Sequence, residues 1–263
     1  MITLITSLYK SNRYLNKYIC SLRKFSQCLI DNEVTFEIVV IANDPSDKEK
    51  ELKNLFKNDT WFRYMEVPRE SLYTSWNRGV EMANGEIIGF WNVDDVRNPE
   101  AVIEALRLFS NGAKVVFPPF IIKWYLNFGK ISLLVKIKKI TPPKFDKIEY
   151  TRSMHGGPFF LFTKELYKKI GPFDEQFKIV SDFDWCIRAA KETDSIMIGK
   201  QLAGVFRVDG NGISSGGKLI HTVENNVIAV RHNTPDKIIK IGGGIESKYK
   251  IDKLLFKGSY FDV

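Results

Sequence analysis

Short apolar runs alternate with longer stretches of helical periodicity through the first half of the chain. Residues 2–9 (ITLITSLY) are apolar and β-branched, which predicts a strand. Over residues 13–29, Leu15, Tyr18, Ile19, Leu22, Phe25 and Leu29 fall on one helical face, with Ser11 or Asn12 as its N-cap. A continuous apolar strand follows over 36–43, ending in the polar turn NDPSD. Residues 47–57 predict a charged amphipathic helix, 63–67 a short strand and 72–83 a helix closed by Asn84-Gly85. The run EIIGFWNVDD (86–95) predicts a buried strand that stops on two adjacent acids. Asn98-Pro99 reads as N-cap and first residue of a helix over 98–110, and 113–122 as a further strand.

Strands too apolar to expose a face, alternating with helices, predict an α/β fold with a mainly parallel sheet. Ligands of such sheets bind at the carboxyl ends of the strands. Three polar strand exits share that edge: Ser7–Tyr9, Asn43–Asp44 and Asn92–Asp95. Farther on, a glycine-rich turn and strand lead into a helix capped by Thr163 and stopped at Gly171-Pro172. Residues 181–192 predict a helix with acids in its first turn, where the helix dipole favours them. Residues 195–208 return to strand, 210–217 form a loop, and a helix lies near 219–233.

Composition narrows the class. The chain has 263 residues, 44% hydrophobic and 27% charged, enough to bury a sizeable core. No stretch approaches the about 18 apolar residues of a membrane span, and the N-terminus lacks a signal-peptide layout. Cys20, Cys28 and Cys186 are scattered, with neither a disulfide framework nor zinc spacing, so a cytoplasmic protein is expected. The net charge of +8 is uneven: seven lysines stand against Asp146 and Glu149 between Phe117 and Tyr150, interleaved with Trp124, Tyr125, Phe128 and Leu133–Val135. This window reads either as contact with an acidic partner, such as the anionic inner face of a membrane, or as a solvated insertion. No zinc finger or RNA-binding aromatic motif is present, so no nucleic-acid partner is expected.

Asp94 and Asp95 suit a hard cation held together with substrate phosphates. Alternatively, one caps the following helix and the other is a turn residue. Asp182 and Asp184 form a second acid pair, from which one carboxylate could serve as a general base or as a helix cap.

Four stretches in order, EIVVIANDPSD, SLYTSWNRGVEMANGEIIGFWNVDDVRNPE, GGPFFLFTKELYKKIGPFDEQFKIVSDFDWCIRAAKE and FRVDGNGISS, resemble family 2 glycosyltransferases of the GT-A fold over roughly residues 2–215. The resemblance implies a Rossmann-like parallel sheet with helices on both faces and a smaller acceptor-side part. It divides the chain into a nucleotide-binding half (1–112), an acceptor half with the basic insertion (113–215) and a C-terminal helical extension (216–263). It also implies an inverting, metal-assisted transfer of a sugar from a nucleoside-diphosphate donor, UDP-type first, to a glycan or lipid-linked hydroxyl, as in surface polysaccharide synthesis. Position by position, Asp94 matches the second acid of the DXD motif and would bind Mn²⁺ or Mg²⁺, with Asp95 in support. Asn92 stands at the first DXD acid and Asn43 at a base-reading Asp, while Thr6, Tyr9 and Asn77 complete the donor-binding set. Asp182 matches the catalytic base. Trp76 replaces an Arg and packs in the core or stacks on nucleotide. Asp209 replaces a His that completes some metal sites, with His221 nearby in sequence. The two Asn replacements also fit a domain that binds nucleotide-sugar without turnover. A nucleotidyltransferase is the other alternative, though ITSLYKSN lacks a basic glycine-rich signature.

Overall fold

Strands β1 (Ile2–Leu8) and β2 (Phe36–Asn43) are buried along almost their whole length, as their unbroken apolar sequences require. A computed structural model describes residues 1–128, 131–212 and 218–238. Lys130 of the basic window, residues 213–217 of the expected loop and residues 239–263 of the expected extension lie outside the described residues.

Among the described residues, the main sheet has seven strands. β1 lies between β2 and β4 (Ile87–Phe90), and β3 (Phe62–Val67) flanks β2, all parallel. Across β4 the order continues through β9 (Leu161–Thr163), β6 (Val115–Phe117) and β10 (Ile196–Ile198). β9 runs antiparallel to both its neighbours, so strands from early and late in the chain share one sheet.

The two-residue period of a strand sends alternate side chains to opposite faces. Leu4, Leu8, Val40 and Ala42 enter one core with Tyr18, Leu22 and Phe25 of α1 (Leu15–Asp31) and Val102 of α4 (Pro99–Ser110). Ile5, Val39 and Ile41 enter the other, with Trp76 and Val80 of α3 (Leu72–Met82) and Trp185 of α7 (Ser181–Glu192). The other α-helices among the described residues are α2 (Asp47–Leu55), α5 (Lys147–Tyr150), α6 (Lys164–Ile170) and α8 (Lys218–Arg231).

Three local expectations need correction. The N-cap of α1 is Tyr14, with no side-chain cap; Ser11 instead exchanges hydrogen bonds with the Tyr9 backbone. The strand expected over 113–122 breaks at Pro118-Pro119, because proline cannot donate to a ladder. Its second part begins β7 (Phe120–Phe128), which forms a hairpin with β8 (Ile131–Ile140). The basic insertion is therefore a sheet element. The strand expected over 195–208 also divides: β10 stays in the main sheet, and β11 (Gly204–Val208) joins a second sheet of order β5-β11-β7-β8, where β5 is Val96–Arg97.

The junction at β5 and β11 is tight. Gly204 has φ +155°, and a Cβ there would sit 1.9 Å from the Val96 carbonyl oxygen, which is backbone and cannot turn aside. Gly204→Ala is expected to lower unfolding free energy by about 2–4 kcal/mol. Gly112→Ala, where a Cβ meets nothing within 4 Å, should cost only about 1 kcal/mol for its positive φ. Urea denaturation of both variants checks the difference.

Candidate active site

Because β1, β2 and β4 run parallel, their carboxyl ends open on the same edge. A cavity of about 950 Å³ lies there, with Ser7, Tyr9, Asn92 and Asp94 from the strand exits in its wall. Asp182, from the first turn of α7, and Arg207, from β11, also line it. Tyr9, Asn92, Asp94 and Asp182 are thus brought to one cavity from separate parts of the chain.

The adjacent acids divide their work. Asp95 is 2% exposed and is not among the lining residues. One carboxylate oxygen accepts the Arg207 backbone N–H at 2.9 Å, and the other accepts the Asn92 side-chain amide at 3.1 Å. Burial, and then the charge of Asp94, raise its carboxyl well above the usual range. Arg97 lies behind it, its guanidinium lowered to about 9 by burial. Asp95 therefore ties the segment after β4 to β11 and does not line the cavity. Asp94 faces the cavity. Burial raises its carboxyl, and the charge of Asp209 adds to this, while Arg207 and Lys17 act against it.

Thr6, Asn43 and Asn77 also hold the wall from behind. The Thr6 hydroxyl pairs with the Tyr18 hydroxyl at 2.8 Å and donates to the Trp91 carbonyl at 2.9 Å. The Asn43 amide donates to Ser75 Oγ at 2.8 Å, and its oxygen accepts the Glu70 N–H at 3.0 Å. Asn77 donates to the Phe173 carbonyl and Glu175, and accepts from the Tyr167 hydroxyl and the Phe173 N–H, all at 2.8–2.9 Å. None of the three lines the cavity, because each polar group is already spent on the framework. Trp76 goes to the core, stacked on Phe90 with ring centroids 3.7 Å apart. It also borders the cavity, and its buried indole N–H has no protein acceptor.

Asp182 and Asp184 separate in the same manner. Two residues apart on a helix are about 200° apart around its axis. Asp182 reaches the cavity, where it accepts the Phe183 N–H at 2.9 Å and the Tyr73 hydroxyl at 3.3 Å. Burial raises its carboxyl to about 6, and nearby Glu224 adds to the shift. Glu224, from α8, accepts the N–H groups of Lys178 and Ile179 and so holds the segment leading into α7. Asp184 points into a buried ionic cluster with Arg188, His232 and Arg231. Burial opposes its ionisation, but His232 and the two arginines overcome this and hold its carboxyl at about 2.

Sequence reading did not single out Tyr14, Arg69, Tyr73 or Arg207 in the cavity wall. The Arg69 guanidinium stacks 3.8 Å from the Tyr9 ring centroid. Arg207 Nε and the Tyr14 hydroxyl both donate to Asp209, at 2.9 and 2.7 Å. Although burial disfavours its charge, those bonds keep the Asp209 carboxyl below the usual range. His221 borders the cavity beside Asn225. Only Arg207 carried a sequence signal, as a cation beside Asp209 in the return strand.

A metal has a restricted fit here. Among the described residues, no cluster of three or more His, Cys, Asp or Glu side chains could hold one unaided. Asp94 offers one cavity-facing carboxylate whose charge is disfavoured by burial, which a cation would relieve. That suits Mg²⁺ or Mn²⁺ held by one carboxylate and mostly by a ligand's phosphates.

The two acids of α7 should differ in stability tests. Asp184→Asn removes the buried charge to which Arg188 and His232 bond and is expected to cost about 3–5 kcal/mol in urea denaturation. Because the folded carboxyl of Asp184 is depressed, its contribution is present above the ordinary carboxyl range and fades as pH falls toward about 2. Asp182→Asn should lose less than about 1 kcal/mol, since no ion pair is broken.

Comparison with known proteins accords with this architecture. The fold matches the S. aureus TarS 1–349 structure with TM-score 0.60 and 18% identity, covering 97% of this chain and 69% of that one. The complex of that fragment with UDP-GlcNAc matches with TM-score 0.62 and 19% identity, over 97% of this chain and 71% of the other. Its complex with UDP gives 0.60 and 18%, over 98% and 72%. No curated protein sequence matches the chain. The family model "Glycosyl transferase family 2" matches residues 3–171, well over half of the chain. The chain belongs to glycosyl transferase family 2, and its central sheet is that of the GT-A fold.

Proposed function

We propose that the chain transfers a sugar from a nucleoside-diphosphate sugar to a hydroxyl of a glycan or lipid-linked acceptor, with inversion at the anomeric carbon. The observation that carries this reading is a single cavity lined by Asp94, from the exit of β4, and Asp182, whose carboxyl is raised to about 6. Family membership supports the reaction class, and the UDP-GlcNAc and UDP complexes of TarS make uridine nucleotides the first donors to try.

Asp182 acts as the base. It takes the proton of the acceptor hydroxyl as that oxygen bonds to the anomeric carbon. The bond from that carbon to the diphosphate oxygen breaks, and the electron pair leaves with the nucleoside diphosphate. A carboxyl near 6 is ionised at neutral pH yet more basic than an ordinary Asp. One base suffices for a single displacement. Asp94 would hold a divalent cation, which when bound neutralises charge on the departing diphosphate. Asn92, also in the wall, has its amide nitrogen bonded to Asp95, and its side-chain oxygen has no protein donor among the bonds described. It is placed to accept from a donor hydroxyl. Tyr9 and the Arg69 stacked on it form the other side of the donor pocket. A second reading, binding without turnover, is favoured by the missing charge at Asn92 and by the commitment of Asp209 to Tyr14 and Arg207.

Two measurements test these roles. UDP or UDP-sugar with Mn²⁺ or Mg²⁺ should raise the melting temperature, EDTA should remove the effect, and Asp94→Ala should abolish it. A shift that survives in Asp94→Ala contradicts the metal role. Asp182→Asn should keep the shift while transfer falls by about a hundredfold to ten-thousandfold. Full binding with no transfer to any acceptor by the unaltered chain would favour the second reading.

The base must be unprotonated, so kcat/KM should rise with pH and level off above about 6. Tyr73→Phe removes a hydrogen bond that favours the carboxylate and should move this limb to higher pH. A limb unmoved by Tyr73→Phe and still present in a residually active Asp182→Asn variant would place the titrating group elsewhere.

A further inference from the structure

The β7–β8 hairpin carries an apolar surface that the rest of the fold does not cover. Leu126 faces Leu133 across the ladder, and Phe128 faces Ile131. These four side chains are 52%, 55%, 62% and 70% exposed in that order. Asn127 and Ser132, which alternate with them, point to the other face and bond to Arg13, with Ser132 also accepting from Arg207. The hairpin is therefore anchored on one face and bare on the other. Farther along β8, Lys136 and Lys138 are exposed on the same bare face, Lys136 over the Trp124 ring, and neither pairs with a carboxylate among the described residues. From Ala105 to Phe145 the sequence contains no Asp or Glu.

We propose that this hairpin docks the protein on an anionic lipid surface, with Leu126, Phe128, Ile131 and Leu133 entering the interfacial zone and the β8 lysines meeting lipid phosphates. Apolar side chains flanked by unpaired lysines match the two attractions that hold a protein at such a surface. The depth is limited. β8 is the edge of its sheet, so its outer N–H and C=O groups must remain where water or headgroups can satisfy them. A second copy fits less well, because edge-to-edge pairing of β8 would bring its lysines together, and edge lysines oppose such pairing.

The hairpin is also joined to the cavity. Asn127 donates to the Asp209 carbonyl at 2.7 Å, and the Tyr125 ring centroid lies 3.9 Å from the Arg207 guanidinium carbon. Docking would therefore hold the cavity beside the bilayer. Delivery of a lipid-linked acceptor there rests on the proposed function; the docking itself does not.

Vesicle flotation of the whole chain tests the idea, with phosphatidylcholine alone and with phosphatidylcholine mixed with phosphatidylglycerol. The chain should float with the mixed vesicles only, and less so as salt rises. Exchange of Lys136 and Lys138 for Gln should weaken partitioning roughly thirtyfold. The pair Leu126→Ser and Phe128→Ser should weaken it at least about tenfold. Both variants should keep the parent melting temperature and any donor-induced shift, since the changed side chains lie outside the core and the cavity. No flotation, equal flotation with neutral vesicles, or full binding by the apolar variant would overturn the proposal. So would a dimer in sedimentation velocity that the apolar variant dissolves while the parent ignores lipid.

Discussion

The buried carboxylate of Asp95 holds the two sheets of this fold together where the site is built. It receives the backbone N–H of Arg207 from β11 and the amide of Asn92 from the exit of β4, with Arg97 behind it. Removing such a group from water is costly; the bonds and the nearby guanidinium reduce that cost, and the carboxyl still stands well above its ordinary range. The consequence falls on its neighbour. With Asp95 fixed inward, Asp94 borders the cavity, and Arg207 is held next to Asp209. Two adjacent acids in the turn that follows a buried strand make sense once one is architecture and the other is free for a ligand.

The same division recurs on α7. Asp184 is locked in a cluster of cations that keeps it ionised, while Asp182 borders the cavity with few partners and a raised pKa. Identical side chains two residues apart acquire opposite proton affinities from their surroundings alone. The α8 helix and the residue after it contribute to both environments: Glu224 holds the approach to Asp182, and Arg231 and His232 hold Asp184. A helix well beyond the family-matched residues 3–171 is therefore part of the site's support.

Much of the fold was legible because it rests on local pattern. The apolar runs of β1 and β2, the Asn98-Pro99 start of α4 and the Thr163 cap of α6 all carry their cause within a few residues. The breaks at Pro118-Pro119 and between Ile198 and Gly204 were present in the sequence too, but their effect depends on which sheet each strand joins. The hairpin was less legible, since lysines alternating with aliphatic residues read as an insertion until a partner strand is known. In the site, Tyr9, Asn92, Asp94 and Asp182 do reach the cavity. Thr6, Asn43, Asn77 and Asp95 do not, because nearby donors and acceptors, distant in sequence, claim their polar atoms first. Sequence spacing shows which residue types arrive at an edge, and it does not show what they meet there.

The most direct test of the central claim is a crystal structure of the chain with UDP and Mn²⁺, with the metal located by its anomalous scattering. Mn²⁺ should be found at the Asp94 carboxylate together with the diphosphate. Asp95 should keep its bonds to Arg207 and Asn92, and Asp182 should remain open to the space left for an acceptor. A diphosphate bound away from Asp94, or a metal ligated by Asp95 in place of those two bonds, would contradict it.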